Sequence, residues 1–196
     1  MAVISEIPLD SLQLGEVFLT GKGAKQIPLS IANEPVLWQP NEWLTIPWTP
    51  SAFNNPEANR VNLVFNATPG SADVTSLHAL DEWSINILSE KSEKLFGKAI
   101  TKEQMRSRFQ PSVKTHEASG MQTWRCKMNT VGKGATRLWD TFRNPIPSPV
   151  DCWTQCTAKC VVKVKGYWMM GQNEIGLILE ATNVMLNTTA AECPFE

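Results

Sequence analysis

From Ala158 to Val164 the chain alternates. Ala158, Cys160, Val162 and Val164 are apolar, while Lys159, Lys163 and then Lys165 and Tyr167 fall on the odd side, interrupted only by Val161. A period of two is the spacing at which side chains leave one face of a β-strand, so the stretch predicts a half-buried strand. Gly171-Gln172-Asn173 supplies a turn, and Ile175, Leu177, Leu179 and Ala181 set one face of a returning strand. Beyond Ala181 the apolar positions shift to Val184 and Leu186, which predicts a bulge. A hairpin alone is marginal in water and needs further strands and a cover for its apolar face. The chain supplies strands with the same period: Trp124, Cys126 and Met128 alternate with Arg125 and Lys127, and Val61, Leu63 and Phe65 share one side of Arg60 to Ala67.

Breakers organise the rest. Residues 1–57 hold seven of the 13 prolines, which excludes long helices there and predicts an extended, turn-rich arm. Trp38, Trp43 and Trp48 recur at a spacing of five, which fits neither period, and read as anchors packing that arm on the body. After Pro69-Gly70, Asp73 is placed to cap a helix in which Leu77, Leu80, Ile87 or Leu88, and Leu95 recur at helical spacing, with Gly97 closing it. Thr101 and Gln104 form a capping box for a second short helix through Phe109, its outer face carrying Lys102, Arg106 and Arg108. The carboxylate pair Asp81 and Glu82 reads as helix surface.

The formal net charge of −1 conceals a division. Residues 1–97 carry 5 Lys or Arg against 11 Asp or Glu, residues 98–170 carry 13 against 4, and residues 171–196 carry none against 4. A field of one sign over one region gathers an anionic partner. Apolar runs fall far short of the ~20 residues of a membrane span, and the start of the chain shows neither a basic nor a continuous apolar leader segment. A soluble, intracellular protein is expected, with no membrane partner. Five cysteines suit reduced thiols; Cys152, Cys156 and Cys160 lack a usual zinc spacing, so no metal and no cofactor is expected.

Enzyme chemistry finds no foothold. The sequence has no phosphate loop, no Gly-x-Ser-x-Gly and no His-Glu-x-x-His, and His78 and His116 stand apart from any nucleophile pattern. What the basic region does combine is cations with flat side chains: Lys163, Lys165 and Tyr167 on one strand, Arg125 and Lys127 on another, and Trp139 and Arg143 between them. Phosphates call for the first and bases stack on the second, a mixture that suits single-stranded nucleic acid. The residues alone leave open a second reading, a structural or interaction module of virion or assembly type whose basic face meets an acidic protein.

The block from Lys159 to Leu186 resembles the closing hairpin of the single-stranded DNA-binding proteins of podophages and large DNA viruses. A basic strand ends in an aromatic pair, here Tyr167 and Trp168, passes a glycine-containing turn, and returns through an apolar strand closing on Val184-Met185-Leu186. The helix holding Leu95-Phe96-Gly97-Lys98, followed by a second short helix, is similar to the insertion of the viral members, so the resemblance covers residues 60–186. It implies a mainly β fold: an OB-fold-like five-stranded barrel over 58–188 with a helical insertion at about 74–109, a Pro-rich N-terminal arm over 1–57 and a short tail over 189–196. It implies non-catalytic, largely sequence-independent binding of single-stranded DNA, with RNA left open, in phage or viral DNA replication or recombination. Replication proteins are the further partners it implies, and the N-terminal arm leaves room for a homodimer. The binding role falls on Lys159, Lys163, Lys165, Tyr167 and Trp168, and with them Arg125, Lys127, Trp139 and Arg143. Phage members end in a long acidic tail closed by an aromatic; here Phe195 keeps the aromatic, while only Glu192 and Glu196 are acidic in the last residues.

Overall fold

A computed structural model describes residues 3–21, 23–52, 58–147, 153–170 and 174–187. The turn at Gly171-Gln172-Asn173, Cys152 and the tail with Phe195 lie outside those residues. The N-terminal region forms β1 (Val3–Ile4), β2 (Leu12–Leu14), β3 (Phe18–Leu19), β4 (Lys25–Ile31), β5 (Val36–Trp38) and β6 (Leu44–Thr45). These are followed by β7 (Arg60–Asn66), α1 (Ala72–Glu90), α2 (Ser92–Phe96), α3 (Lys102–Arg108), β8 (Phe109–Gln110) and β9 (Val113–Thr115). The chain continues through β10 (Gln122–Asn129), β11 (Arg137–Trp139), β12 (Thr157–Met170) and β13 (Glu174–Asn187).

The expected hairpin is the spine. β12 and β13 pair antiparallel along their length, with Lys163 opposite Glu180, and irregularities fall at Val161/Val162 and Val164/Gly166. On the far side of β13 lies β10, parallel, and beyond it β7, antiparallel, so the order through the sheet is β1-β5-β12-β13-β10-β7. The N-terminal region, expected as an arm lying on the body, instead joins the sheet. β4 pairs with β12 through Tyr167↔Ile27, β5 through Val162↔Trp38, and β6 through Thr157↔Thr45. Proline removes one ladder donor and fixes φ at about −65°, which an extended chain tolerates, and the alternation runs on through Pro28: Ile27 and Leu29 are buried on one face of β4. Past β6, Ser51 bridges Asn62 of β7; the Ser51 N–H donates to the Asn62 carbonyl (3.2 Å) and the Asn62 N–H to that of Ser51 (2.8 Å).

The core is aromatic at its centre. Trp124 packs 4.7 Å from Phe65 and 5.8 Å from Trp38 between ring centroids, so Trp38 is the packing anchor expected of it. Leu77, Leu80 and Leu88 are buried on α1. Ser71, rather than Asp73, caps that helix, its hydroxyl accepting from the Val74 N–H at 3.3 Å. The carboxylate of Asp73 reaches outside the helix, accepting from the backbone N–H of Asn41 (2.9 Å) and Glu42 (3.3 Å), and so ties α1 to the segment between β5 and β6. The helix expected to run to Gly97 stops at Glu90 and restarts at Ser92. Ser92 is buried there, and its hydroxyl accepts from the Ile100 N–H at 2.9 Å, holding the returning chain. The capping box at Thr101 and Gln104 is present as expected.

Asp81 departs from the surface role read for it. It is buried, accepting from the Ser112 N–H (2.8 Å) and hydroxyl (2.7 Å), and burial raises its carboxyl from 3.8 to about 6. Its neighbour Glu82 stays at the surface, paired with Arg106 of α3. Between those two values the folded chain keeps a proton that the unfolded chain has released, so Asp81 makes stability fall as pH rises through that window and stay level above it. Replacing Asp81 with asparagine should remove this fall: the difference in Tm between variant and native chain should move in the variant's favour by a few degrees from about pH 4 to pH 6. Parallel Tm profiles would show that the carboxyl does not titrate in that window.

Candidate nucleic-acid interface

Register decides which side chains share a face, because partners across a ladder point the same way. Lys163 stands opposite Glu180, Glu180 beside Lys127, and Lys127 opposite Asn62, one row across β12, β13, β10 and β7. Arg125 lies one step along β10 and is exposed, so the odd-numbered cations of the two strands do point from one face. They are not equally free. Lys127 is half-buried and donates to Asn62 Oδ1 at 2.7 Å, and burial, with Arg125 and Arg60 nearby, lowers its ammonium below the usual lysine range. Glu180, which no motif or spacing marked, places a carboxylate in the middle of the cations. It takes Arg60 at 3.1 Å and Lys165 at 3.3 Å, and its side chain is only 14% exposed.

Tyr167 is a correction. Its side chain is completely buried; the hydroxyl donates to Ser84 Oγ at 2.7 Å, and the ring meets Phe109 edge-on at 6.4 Å. Such a ring offers no face to a base. The cause is the irregularity in β12: Val164 pairs with Leu179 and Gly166 with Ile178, leaving Lys165 with no residue opposite it in the ladder. One extra residue reverses the alternation, so odd positions turn inward from there. Gly166 makes the close approach to β4 there with φ of 130°, where an added Cβ would collide with the Ile27 carbonyl and lie 2.8 Å from Pro28 Cα.

Trp168 takes the outward place. It pairs with Gly176, whose added Cβ would fall 2.8 Å from Cζ2 and 2.9 Å from Cε2 and Nε1 of the indole, so the ring covers a strand position that has no side chain. Trp168 and Arg125 border a cleft of about 300 Å³ with Lys114, Arg60 and Trp48. Trp48, expected to pack, is 45% exposed and meets the His116 ring edge-on at 5.5 Å. His116 in turn hydrogen-bonds Thr123 Oγ1 through Nε2 at 2.9 Å. Trp43 is likewise 41% exposed, with the Lys159 ammonium 5.6 Å from its ring centroid.

The nine residues expected to bind thus divide. Trp168, Arg125 and Lys127 line the cleft; Lys163 and Lys165 lie between it and the far end of β12; Trp139, Arg143 and Lys159 line a separate groove there; Tyr167 is in the core. Among the described residues no three His, Cys, Asp or Glu side chains are grouped to hold a metal, and no helix is long and apolar enough to cross a membrane. Burial pushes the Cys126 thiol up to about 12 and that of Cys160 well above its ordinary range, so both stay protonated and unreactive.

No family model matches the chain, and no curated protein matches it in sequence. Solved structures match it in fold. The single-stranded DNA-binding protein gp2.5 of bacteriophage T7 superposes with a TM-score of 0.55 at 11% identity, over 82% of this chain and 96% of that one. The single-stranded DNA-binding protein of bacteriophage Enc34, solved in complex with ssDNA, gives 0.48 at 11% identity, over 94% and 96%. At such identity the likeness to the first is one of fold. The resemblance read from residues 60–186 is met at that level: the chain is mainly β and shares the fold of a phage single-stranded DNA-binding protein.

Proposed function

We propose that this protein binds single-stranded DNA, without catalysis and with little sequence preference, on the face shared by β12, β13, β10 and β7. The observation that carries this is the pairing of an accessible indole, Trp168 seated over Gly176, with exposed Arg125 and half-exposed Lys163 on the same face. Bases stack on Trp168 and Trp48, and phosphates follow the cations, a combination indifferent to base identity because every base has a flat face. The fold shared with the T7 protein supports the reading. The OB-type barrel expected within residues 58–188 is part of this reading; what supports it is the pairing of β12, β13, β10 and β7, with the stretch from β5 through Ser51 pairing with β12 and bridging β7. The helices from Ala72 to Arg108 are its insertion. Phage DNA replication or recombination, where single strands are exposed, is the setting this activity fits.

Fluorescence anisotropy with a labelled oligo-dT strand at two salt concentrations tests it. Salt-sensitive binding with quenched tryptophan emission is expected, and Arg125→Ala should shallow the salt dependence by about 0.7, one phosphate's share on a single strand. Absence of binding at low salt would sink the reading in favour of a protein-interaction face.

Glu180 gives a second test. As the carboxylate that holds Arg60 and Lys165, it withdraws both from phosphates. Glu180→Gln should therefore tighten binding severalfold and steepen the salt dependence by about 0.7 for each cation released. Weaker binding would mean that the carboxylate positions those cations for the strand.

A further inference from the structure

At the end of β12 remote from Trp168 a groove of about 320 Å³ is walled by Trp139, Val161 and Met185 and rimmed by Arg143 and Lys159. Its aromatic is fixed at the polar edge: the Trp139 indole N–H donates to Asn183 Oδ1 at 3.1 Å, and β11 sets the residue beside Met185 of β13. The cation at its rim is held by an uncommon backbone. Arg143 has φ of 67°, the left-handed region that is strained for a non-glycine residue and persists only where the surroundings enforce it.

Here they do. The Arg143 N–H donates to the Asp140 carbonyl (3.0 Å), and the Asn144 N–H (2.7 Å) and side-chain amide (3.0 Å) donate to the two Asp140 carboxylate oxygens. The same turn presents Phe142 with 85% of its surface exposed, the extreme among the exposed large apolar side chains of the described residues. Across the groove, Lys159 lies against the half-exposed Trp43. The composition repeats that of the first cleft: cations beside accessible aromatics.

The two sites share one strand face. Lys159, Val161 and Lys163 alternate with the buried Cys160 and Val162, so the groove opens on the side of β12 that carries Lys163. From Lys159 to Trp168 the strand covers about 30 Å, with Lys163 and Lys165 between. A single ligand that meets both sites must be long, anionic along its length and furnished with flat groups. We infer that the groove is a second stacking subsite for the same DNA strand: Trp139 and Phe142 receive bases, and Arg143 and Lys159 receive phosphates. The inference rests on the single-strand reading above.

The test is a series of labelled oligo-dT strands from about four to about sixteen nucleotides, the span of site sizes for such folds, titrated into the full chain. Affinity should rise again once a strand reaches both sites. Phe142→Ala and Arg143→Gly should erase that second rise, weakening the longest strand about tenfold while leaving the shortest unchanged, whereas Trp168→Ala should weaken every length. Phe142 and Arg143 are exposed, and glycine accepts the backbone at 143, so neither variant endangers the fold. Trp139→Ala should act like them. Variants that leave the longest strand untouched, or weaken the shortest as much, overturn the second subsite alone. Failure of the native chain to bind any length at low salt overturns the single-strand reading with it.

Discussion

Replacing Trp168 with alanine is expected to weaken oligo-dT binding about ten- to a hundredfold while leaving the salt dependence as it was. The magnitude is that of one base stacked on one ring, about 1–3 kcal/mol. The unchanged slope follows because an indole neutralises no phosphate. Arg125→Ala should show the converse, a shallower slope with a smaller loss at moderate salt. Gly176 offers an independent check on the geometry. An alanine there would put its methyl into the indole, so Gly176→Ala should displace the ring and reproduce part of the Trp168→Ala loss with Trp168 still present. Anisotropy titrations of the three variants at two salt concentrations decide the matter; a Trp168→Ala chain that binds like the native one would remove the indole from the interface.

The fate of neighbouring residues in β12 says what a sequence of this kind reveals and what it withholds. Period-two alternation placed β12, β13, β10 and β7, and with them the shared face of Arg125, Lys127 and Lys163, since each strand carries its own inward and outward lists. What alternation does not carry is an insertion of one residue. The irregularity at Val164 and Gly166 is set by the approach of β4, a contact between residues far apart in the chain, and it moved Tyr167 inward and Trp168 outward. Gly166 was the visible signal, a glycine inside a strand pattern. The N-terminal strands were hidden for a different reason: proline density masked the alternation of Ile27, Leu29 and Ile31. Trp48, Lys114 and Arg60 reached the cleft only through tertiary placement, and nothing in their spacing marked them. Glu180 could have been found, since a charge set in the apolar middle of a strand asks for a partner.

Tyr167 and Trp168 are the neighbours whose roles, one in the core and one on the face, are told apart most sharply. The Tyr167 ring fills the space between β12 and α1, packed edge-on against Phe109, and its hydroxyl extends a chain of hydrogen bonds through Ser84 Oγ to the Leu80 carbonyl (2.7 and 2.6 Å). Removing a buried aromatic ring costs about 3–5 kcal/mol, the transfer of its surface plus the cavity left behind. Tyr167→Ala should therefore lower Tm by about 10 °C in a chain of this size, measured by thermal denaturation. Tyr167→Phe keeps the ring and loses only the donor to a hydroxyl that itself still donates, so about 1 kcal/mol is expected. Well below their transitions, both variants should bind oligo-dT as the native chain does, because the ring never meets the strand. The adjacent Trp168→Ala should behave oppositely, losing affinity while keeping most of its Tm. Were Tyr167→Ala to keep its Tm and lose binding, the reversal of alternation at Gly166 would be wrong, and Tyr167 rather than Trp168 would be the ring on which bases stack.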